Sequence, residues 1–356
     1  MQQAGFNPAC FYMQIKMTQN FSAKNITVIG NGGWGTALAI LLYNKGNKIG
    51  LWGHDKSYTD YLNEKRENTK YLKGIIIPPD IAITSEITAT LMDTQFILSA
   101  TPTPYLRSVL LKFKEVFVNK TPIISITKGI ENETLMRPSE IIRDVLGDPP
   151  VSLLLGPSHA EEVAHGLPTT IVASSNDLSL AQTVQELFTT DRFRVYTNTD
   201  IIGVEIGAAL KNVIAIAAGI CDGLSLGDTT KAALITRGLA EISRLGTAMG
   251  AKKITFSGLS GLGDLITTCI SPYGRNRWVG EQIGKGKMLE EILRDMKQIA
   301  EGVWTTKSVI ELSKKYRIEM PITHEIYSVL FSGKKPLEAL NNLMLRTPKS
   351  EIEEIY

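Results

Sequence analysis

The chain has 356 residues, of which 43% are hydrophobic and 21% charged, and its formal net charge is +2. That length exceeds one ordinary domain and that composition suits globular folding with little disorder, so two domains with separate cores are expected. No Lys/Arg run is dense enough to track a nucleic-acid backbone, so the charge gives no support for such a partner.

Residues 1–20 lack a charged stretch followed by a clean apolar one, so they do not read as a signal peptide. They read as an extension, with Met17 an alternative start. Asn25–Gly30 is a short apolar strand, and Gly33–Lys45 a helix stopped by Gly46. Lys48–Trp52 is a second strand, followed by a polar helix rich in Lys and Glu. Gln95–Ala100 is another strand, ending in Thr101-Pro102-Thr103-Pro104, which is expected to continue neither as strand nor as helix. Tyr105–Phe117 has helical spacing. Pro122–Ser125, Val151–Leu155, Thr169–Ala173 and Arg192–Thr197 read as further strands. Strands alternating with helices predict a doubly wound, Rossmann-type parallel sheet.

After about Thr199 the strand signals stop. Asp200–Ile220, Asp228–Met249, Arg277–Gly284 and Glu301–Tyr316 read as helices of an all-helical second domain. The expected division is an extension (1–20), a dinucleotide-binding domain (21–199), a helical domain (200–345) and a tail (346–356). Ile201–Cys221 is apolar enough to suggest a membrane span. It carries Glu205, Lys211 and Asn212, costly in hydrocarbon, so it reads as a helix buried between domains, without membrane insertion.

Gly30-Asn31-Gly32-Gly33-Trp34-Gly35 fits G-x-G-x-x-G between a strand and a helix, the context a dinucleotide needs. Gly30 permits the tight turn, Gly32 lets backbone approach the pyrophosphate, and Gly35 allows close helix–strand packing. A glycine-rich turn without ligand is the bland alternative. The second strand ends in Trp52-Gly53-His54-Asp55-Lys56, where Gly53 takes the place of the acid that would hold a ribose 2′-hydroxyl. His54 and Lys56 are placed to meet a 2′-phosphate, which favours dual use of NAD and NADP or a preference for NADP. A merely polar loop is the alternative.

Lys128 follows a buried strand, at the end where open α/β sheets bind ligands; a surface lysine is the alternative. Lys211 lies deep in the apolar helix. Glu205, six residues earlier, is on another face and is no i,i+4 partner. Burying an unpaired ammonium is expensive or lowers its pKa, so a lysine here points to chemistry unless it snorkels to the surface. Gly258–Asp264 reads as a glycine-rich turn whose Asp264 either pairs with Lys211 across the cleft or is an ordinary helix cap. Gly274-Arg275-Asn276 leads into a helix and makes an anion pocket from guanidinium and backbone donors, or else a solvated arginine. The cysteines Cys10, Cys221 and Cys269 are far apart and suggest no disulfide framework, which suits a reducing cytoplasm. The four histidines form no metal-binding cluster, so no metal is expected.

Together VIGNGGWGTALA, SITKGIE, LLLGPSHAEEVAHGLPT, LKNVIAIAAGICDGL, GLSGLGDLITTC and GRNRWVG, in this order from about Asn25 to about Gly333, resemble the bacterial NAD(P)-dependent glycerol-3-phosphate dehydrogenases. The resemblance implies Lys211 as catalytic lysine, working with Lys128 and Asp264. It implies Gly33, Trp34, His54, Lys128, Ala160, Arg275, Ile299 and Glu301 along the cofactor. It implies Lys128, Gly156, Ser158, Lys211, Asp264, Gly274, Arg275 and Asn276 along the substrate, dihydroxyacetone phosphate or glycerol 3-phosphate. A cytoplasmic homodimer supplying glycerol 3-phosphate to phospholipid synthesis is also implied. The rival readings are a hydroxyacid dehydrogenase of the same plan, such as one acting on 6-phosphogluconate, and a non-catalytic dinucleotide sensor.

Overall fold

The computed structural model describes residues 22–118, 120–296 and 299–351. The expected extension (1–20) and residues 352–356 of the expected tail lie outside them.

The first half alternates strand and helix. β1 (Asn25–Ile29), α1 (Gly33–Asn44), β2 (Lys48–Trp52), α2 (Lys56–Lys65), β3 (Ala82–Thr84), α3 (Ile87–Thr90) and β4 (Phe96–Ser99) come first. Then follow α4 (Thr103–Phe113), β5 (Ile123–Ser125), α5 (Pro138–Leu146), β6 (Val151–Leu155) and α6 (Ala160–Ala164). β7 (Thr169–Ser174), α7 (Leu178–Phe188) and β8 (Phe193–Asn198) complete one eight-stranded sheet, ordered β3-β2-β1-β4-β5-β6-β7-β8. Apolar helix faces cover both sides. Leu38, Leu62 and Val184 pack on one side; Leu106, Phe113, Ile141 and Val145 pack on the other.

Two expectations need correction. The sheet is not wholly parallel: β6 and β7 are antiparallel, pairing Leu153 with Ser174 and Leu155 with Val172, while β7 and β8 are parallel to each other. A parallel return needs a crossover that carries the chain the length of the sheet. α6, the one helix between β6 and β7, has 5 residues and advances only about 7.5 Å. Hydrophobic periodicity sees strand, gap, strand in either case. The second correction concerns Thr101–Pro104. Helix α4 starts at Thr103, with Pro104 in its first turn, where the missing N–H costs nothing.

The second half is helical: α8 (Ile201–Gly223), α9 (Gly227–Ala248), α10 (Asp264–Ile270), α11 (Arg275–Gly284), α12 (Leu289–Asp295), α13 (Glu301–Tyr316), α14 (Pro321–Phe331) and α15 (Pro336–Met344). Gly258–Asp264, read as a turn, contains a π-helical turn over Leu259–Gly263 that runs into α10. α8 is the axis of the molecule. Ile201, Val204 and Ala208 belong to the core under the sheet, whereas Ile206, Leu210, Val213 and Ile216 belong to the core of the helical half. Its length and hydropathy would span a membrane, but the helix is buried inside the protein.

Glu205, only 2% exposed, ties α8 to α5. Its carboxylate accepts from Arg137 Nη1 at 2.5 Å, from Ser139 N at 2.7 Å and from Ser139 Oγ at 2.7 Å. Arg137 precedes α5 and is itself buried. Removing Glu205 leaves the buried Arg137 with Glu140 alone as counter-ion, at 2.7 Å, and strips Ser139 N of its acceptor. Glu205→Ala is therefore expected to cost about 3–5 kcal/mol. Chemical denaturation measures this, and a loss below about 1 kcal/mol, the range of exposed pairs, would show that the pair does not hold α5 to α8.

Candidate active site

The crevice lies at the carboxyl ends of β1 and β4, the neighbours at which strand order reverses direction. Gly30, at φ +120°, makes the turn after β1, and a Cβ there would stand 2.8 Å from the Ala100 carbonyl oxygen at the end of β4. A Cβ on Gly35 would stand 2.1 Å from the Gly30 carbonyl oxygen, so the start of α1 presses on its own turn. Gly32 is the cap residue of α1 and offers no side chain to the first-turn N–H groups. A Cβ on Gly32 would meet nothing within 4 Å. The turn is therefore tight on the protein side and open at the helix N-terminus, a cradle that fits a pyrophosphate. Trp34 is half-buried beside it, and Gly33 lies 3.7 Å, measured from a built Cβ, from the side chain of Ala160 on α6.

At the end of β2 the position of Gly53 is closed. A Cβ there would stand 2.0 Å from Asn31 Nδ2 and 2.6 Å from Thr59 Oγ1, so a side chain enters only if both of those give way. Asp55 is occupied as the cap of α2, its Oδ1 accepting from Tyr58 N at 3.1 Å and Ser57 Oγ at 2.8 Å. Lys56 pairs with Asp60 at 2.9 Å on the surface. His54 is exposed beside them.

The charged centre is built where α8 runs past the π-helical turn. A Cβ on Gly207 would come within 2.6 Å of the Ser260 carbonyl oxygen. One helical turn later on the same face of α8 stands Lys211, and four residues beyond Ser260 stands Asp264, so the close approach at Gly207 sets the two opposite each other. Lys211 is 5% exposed; its ammonium donates to Asp264 Oδ1 and, at 2.6 Å, to Thr268 Oγ1. The other carboxylate oxygen of Asp264 accepts from Lys128 Nζ at 2.9 Å. Lys128, following β5, also donates to the Gly156 carbonyl at 3.0 Å, which accepts from Ser158 Oγ at 3.1 Å as well. The buried ammonium is thus not unpaired. Burial, more than any neighbour, brings the Lys211 amine down to about 7; Asp264 opposes that fall and Lys128 adds to it.

Gly274 caps α11, and Arg275 is its first residue, two positions earlier than the apolar spacing predicts. Arg275 is exposed at the helix start. Asn276 is buried and its Oδ1 accepts from Gly302 N at 2.9 Å, which leaves its amide nitrogen as the group available to an anion. Glu301, first residue of α13, accepts at 3.0 Å from Thr103 N at the start of α4. Burial pushes the Glu301 carboxyl up. Ile299 is half-buried just before it.

Two residues at this centre escaped the sequence reading. Thr268 lies one turn after Asp264 on α10, a spacing visible only once that segment is seen as a helix. His159 stands between Ser158 and Ala160. Its Nε2 is shielded and has no hydrogen-bond partner, and its ring faces Tyr273 at 5.6 Å between centroids. Burial first, then the charges of Lys211 and Lys128, hold its pKa down to about 4, so it adds no third positive charge near neutrality.

Models of two protein families match the chain: the N-terminal part of NAD-dependent glycerol-3-phosphate dehydrogenase over residues 25–181 and its C-terminal part over residues 200–341. A glycerol-3-phosphate dehydrogenase [NAD(P)+] of Bacillus pumilus is 49% identical over 335 residues, covering 93% of this chain and 97% of the relative. Among solved structures, glycerol-3-phosphate dehydrogenase from Coxiella burnetii superposes with a TM-score of 0.88 at 37% identity, covering 91% of this chain and 99% of that one. The enzyme of the same name from Plasmodium falciparum gives 0.83 at 28% identity, covering 92% and 97%.

The open face of Gly32 generates a clean test. Its φ of −70° and ψ of 176° suit any residue, and an added methyl meets no protein atom. Gly32→Ala is expected to fold with the thermal midpoint of the parent yet bind dinucleotide at least about tenfold more weakly, because the methyl stands where a phosphate must approach. Unchanged affinity by titration calorimetry would remove this turn from the binding site.

Proposed function

This chain belongs to the NAD-dependent glycerol-3-phosphate dehydrogenase family, and on that premise we propose that its cleft reduces the C2 carbonyl of dihydroxyacetone phosphate, and in reverse oxidises glycerol 3-phosphate, with Lys211 as the proton-transferring group. The observation that carries this reading is the buried Lys211–Asp264–Lys128 bridge at the carboxyl end of the sheet. A nicotinamide dinucleotide, when bound, supplies or accepts the hydride. Residues 21–199 hold it, through the Gly30–Gly35 turn, Trp34, His54 and Ala160, with Ile299 and Glu301 closing over it. Residues 200–345 bring the substrate-facing helices.

The residues of this chain do the rest. Lys211 donates a proton from its ammonium to the carbonyl oxygen as that oxygen gains charge, and the resulting amine is reprotonated from water. Lys128 keeps its ammonium beside the same oxygen and stabilises the developing alkoxide. Asp264 holds both amines in place. Arg275, the amide of Asn276 and the backbone at Gly274 take the phosphate, while Gly156 and Ser158 line the other wall; a fixed phosphate fixes C2. A reducing, cytoplasmic setting agrees with the buried free thiols of Cys221 and Cys269. A homodimer and a role in supplying glycerol 3-phosphate for phospholipid synthesis belong to the same reading.

The direct experiment is reduction of dihydroxyacetone phosphate with NADH and with NADPH, followed at the nicotinamide absorbance, against oxidation of 6-phosphogluconate. Turnover of the latter alone would overturn the assignment, and turnover of neither would favour a sensor.

Two predictions follow from the residues. With an amine near 7, the ammonium needed for ketone reduction is lost as pH rises through about 7, so reduction slows with rising pH. Alcohol oxidation needs the free amine and speeds up over the same range. Lys211→Ala should flatten both profiles and lower kcat by about 10²–10⁴-fold; a mutant that keeps the wild-type pH profile would exclude Lys211 as acid. Arg275→Lys keeps the charge but loses the two-pronged grip, so kcat/KM for dihydroxyacetone phosphate is expected to fall about ten- to hundredfold. Unphosphorylated dihydroxyacetone should lose little. Equal losses on both substrates would move the phosphate pocket elsewhere.

A further inference from the structure

The segment between α2 and β3 folds back over the glycine turn, and Asn68 is its fully shielded centre. The carboxamide nitrogen of Asn68 donates to the Asn31 carbonyl at 2.9 Å and to Thr36 Oγ1 at 2.8 Å. Its carboxamide oxygen accepts from the Tyr58 hydroxyl at 2.6 Å and from Tyr71 N at 3.2 Å. Both ends of one amide are therefore used, one on the turn and α1, the other on α2 and the covering segment itself. The cover is close. A Cβ on Gly33 would stand 2.5 Å from the Tyr71 carbonyl oxygen. Tyr58 stacks on Tyr61 at 5.9 Å and meets Tyr71 edge-on at 5.7 Å, with Lys70 Nζ 4.9 Å from the Tyr71 ring centroid.

The Asn31–Gly32 peptide has a buried anchor on one side, where Asn31 Nδ2 donates to Thr59 Oγ1 at 3.3 Å, and a glycine without a side chain on the other; its one carbonyl is held by the Asn68 amide. In a trans peptide the carbonyl and the next N–H point in opposite directions. Holding the Asn31 carbonyl toward Asn68 therefore sends the Gly32 N–H away from the covering segment, on the residue whose Cβ position is open to the cleft.

We propose that Asn68 is a cofactor-positioning residue: by holding the Asn31 carbonyl it aims the Gly32 N–H at the phosphates of the dinucleotide. Tyr58, which begins one turn after the loop carrying His54, braces Asn68 from behind. The loop beside the adenosine ribose and the turn under the pyrophosphate are thus joined through one buried amide. This rests on the reading of Gly30–Gly35 as the dinucleotide turn.

The test compares Asn68→Asp, Asn68→Ala, Tyr58→Phe and Gly32→Ala in the full chain. Asn68→Asp keeps the acceptor for Tyr58 and Tyr71 but turns a carboxylate oxygen toward the Asn31 carbonyl. Its dinucleotide Kd and KM are expected to rise about ten- to hundredfold, the range for an unmet buried polar group. At saturating dinucleotide, kcat and the KM for dihydroxyacetone phosphate should stay within about twofold of the parent, because nothing at the charged centre touches Asn68. Asn68→Ala should shift the same constants in the same direction. Tyr58→Phe, which leaves the Asn31 bond in place, should shift them by no more than about threefold. If Gly32→Ala weakens dinucleotide binding and Asn68→Asp does not, Asn68 has no positioning role and the turn still binds. If neither weakens it, the turn itself is misassigned and the proposal falls with it. A drop in thermal midpoint with kcat and both KM values disturbed together would make Asn68 a structural residue only, which also overturns the proposal.

Discussion

A carboxylate shared between two ammonium groups governs this molecule. Two unit positive charges about 4 Å apart repel by about 4 kcal/mol at an effective dielectric of 20, and a buried setting makes that worse. Lys211 and Lys128 nevertheless converge because Asp264, 1% exposed, gives one oxygen to each. The three residues come from different places: Lys211 from the middle of α8, Asp264 from the start of α10, Lys128 from the carboxyl end of β5. None of those elements can shift without opening the bridge. The fold is arranged accordingly, with α8 threaded through both cores, the π-helical turn pressed on Gly207, and the Gly156 carbonyl accepting a further hydrogen bond from Lys128.

On the proposed function the same bridge sets the chemistry. Burial alone would strip Lys211 of its proton; Asp264 opposes that, and the amine comes to rest at about 7. A group there gives up and recovers a proton with little free-energy change in either direction, which is what a reversible ketone–alcohol interconversion demands. His159 fits this balance by what it does not contribute. Burial first and then the two lysines keep its ring neutral near pH 7, so it adds no positive charge beside the groups proposed to hold the substrate and move its proton.

Much of this arrangement is visible in the sequence, because its cues are local. β2 and β6 show as apolar runs with their observed ends, and the expense of a lysine inside Ile201–Cys221 marks Lys211 before any geometry is known. The parts that were not visible depend on contacts distant in sequence. The antiparallel turn of β7 is decided by the shortness of α6, and apolar periodicity carries no sign for strand direction. β3 has 3 residues of which only Ile83 is buried, so it makes no apolar run, whereas the equally short β5 is buried throughout and does. Thr268 and His159 are ordinary residues in ordinary surroundings until α8 is laid against α10. Lys56, read as placed to meet a 2′-phosphate, pairs with Asp60 at helical spacing on the surface, a partner the loop reading did not include.

The two halves are also coupled by polar bonds that surround the cleft. Lys128 reaches Asp264 on one side, and the N-terminus of α4 donates to Glu301 on another. Within the helical half, Asn276 holds Gly302 and so fixes Glu301 relative to Arg275. The residues read as gripping a phosphate and those read as closing over a dinucleotide therefore share a frame, joined by the Asn276–Gly302 bond between α11 and α13. On the proposed function, such a frame would set a substrate carbon against a cofactor ring with less binding free energy consumed in ordering the site. Burial pushes the Glu301 carboxyl up, and the Thr103 N–H at the start of α4 opposes that shift by donating to it.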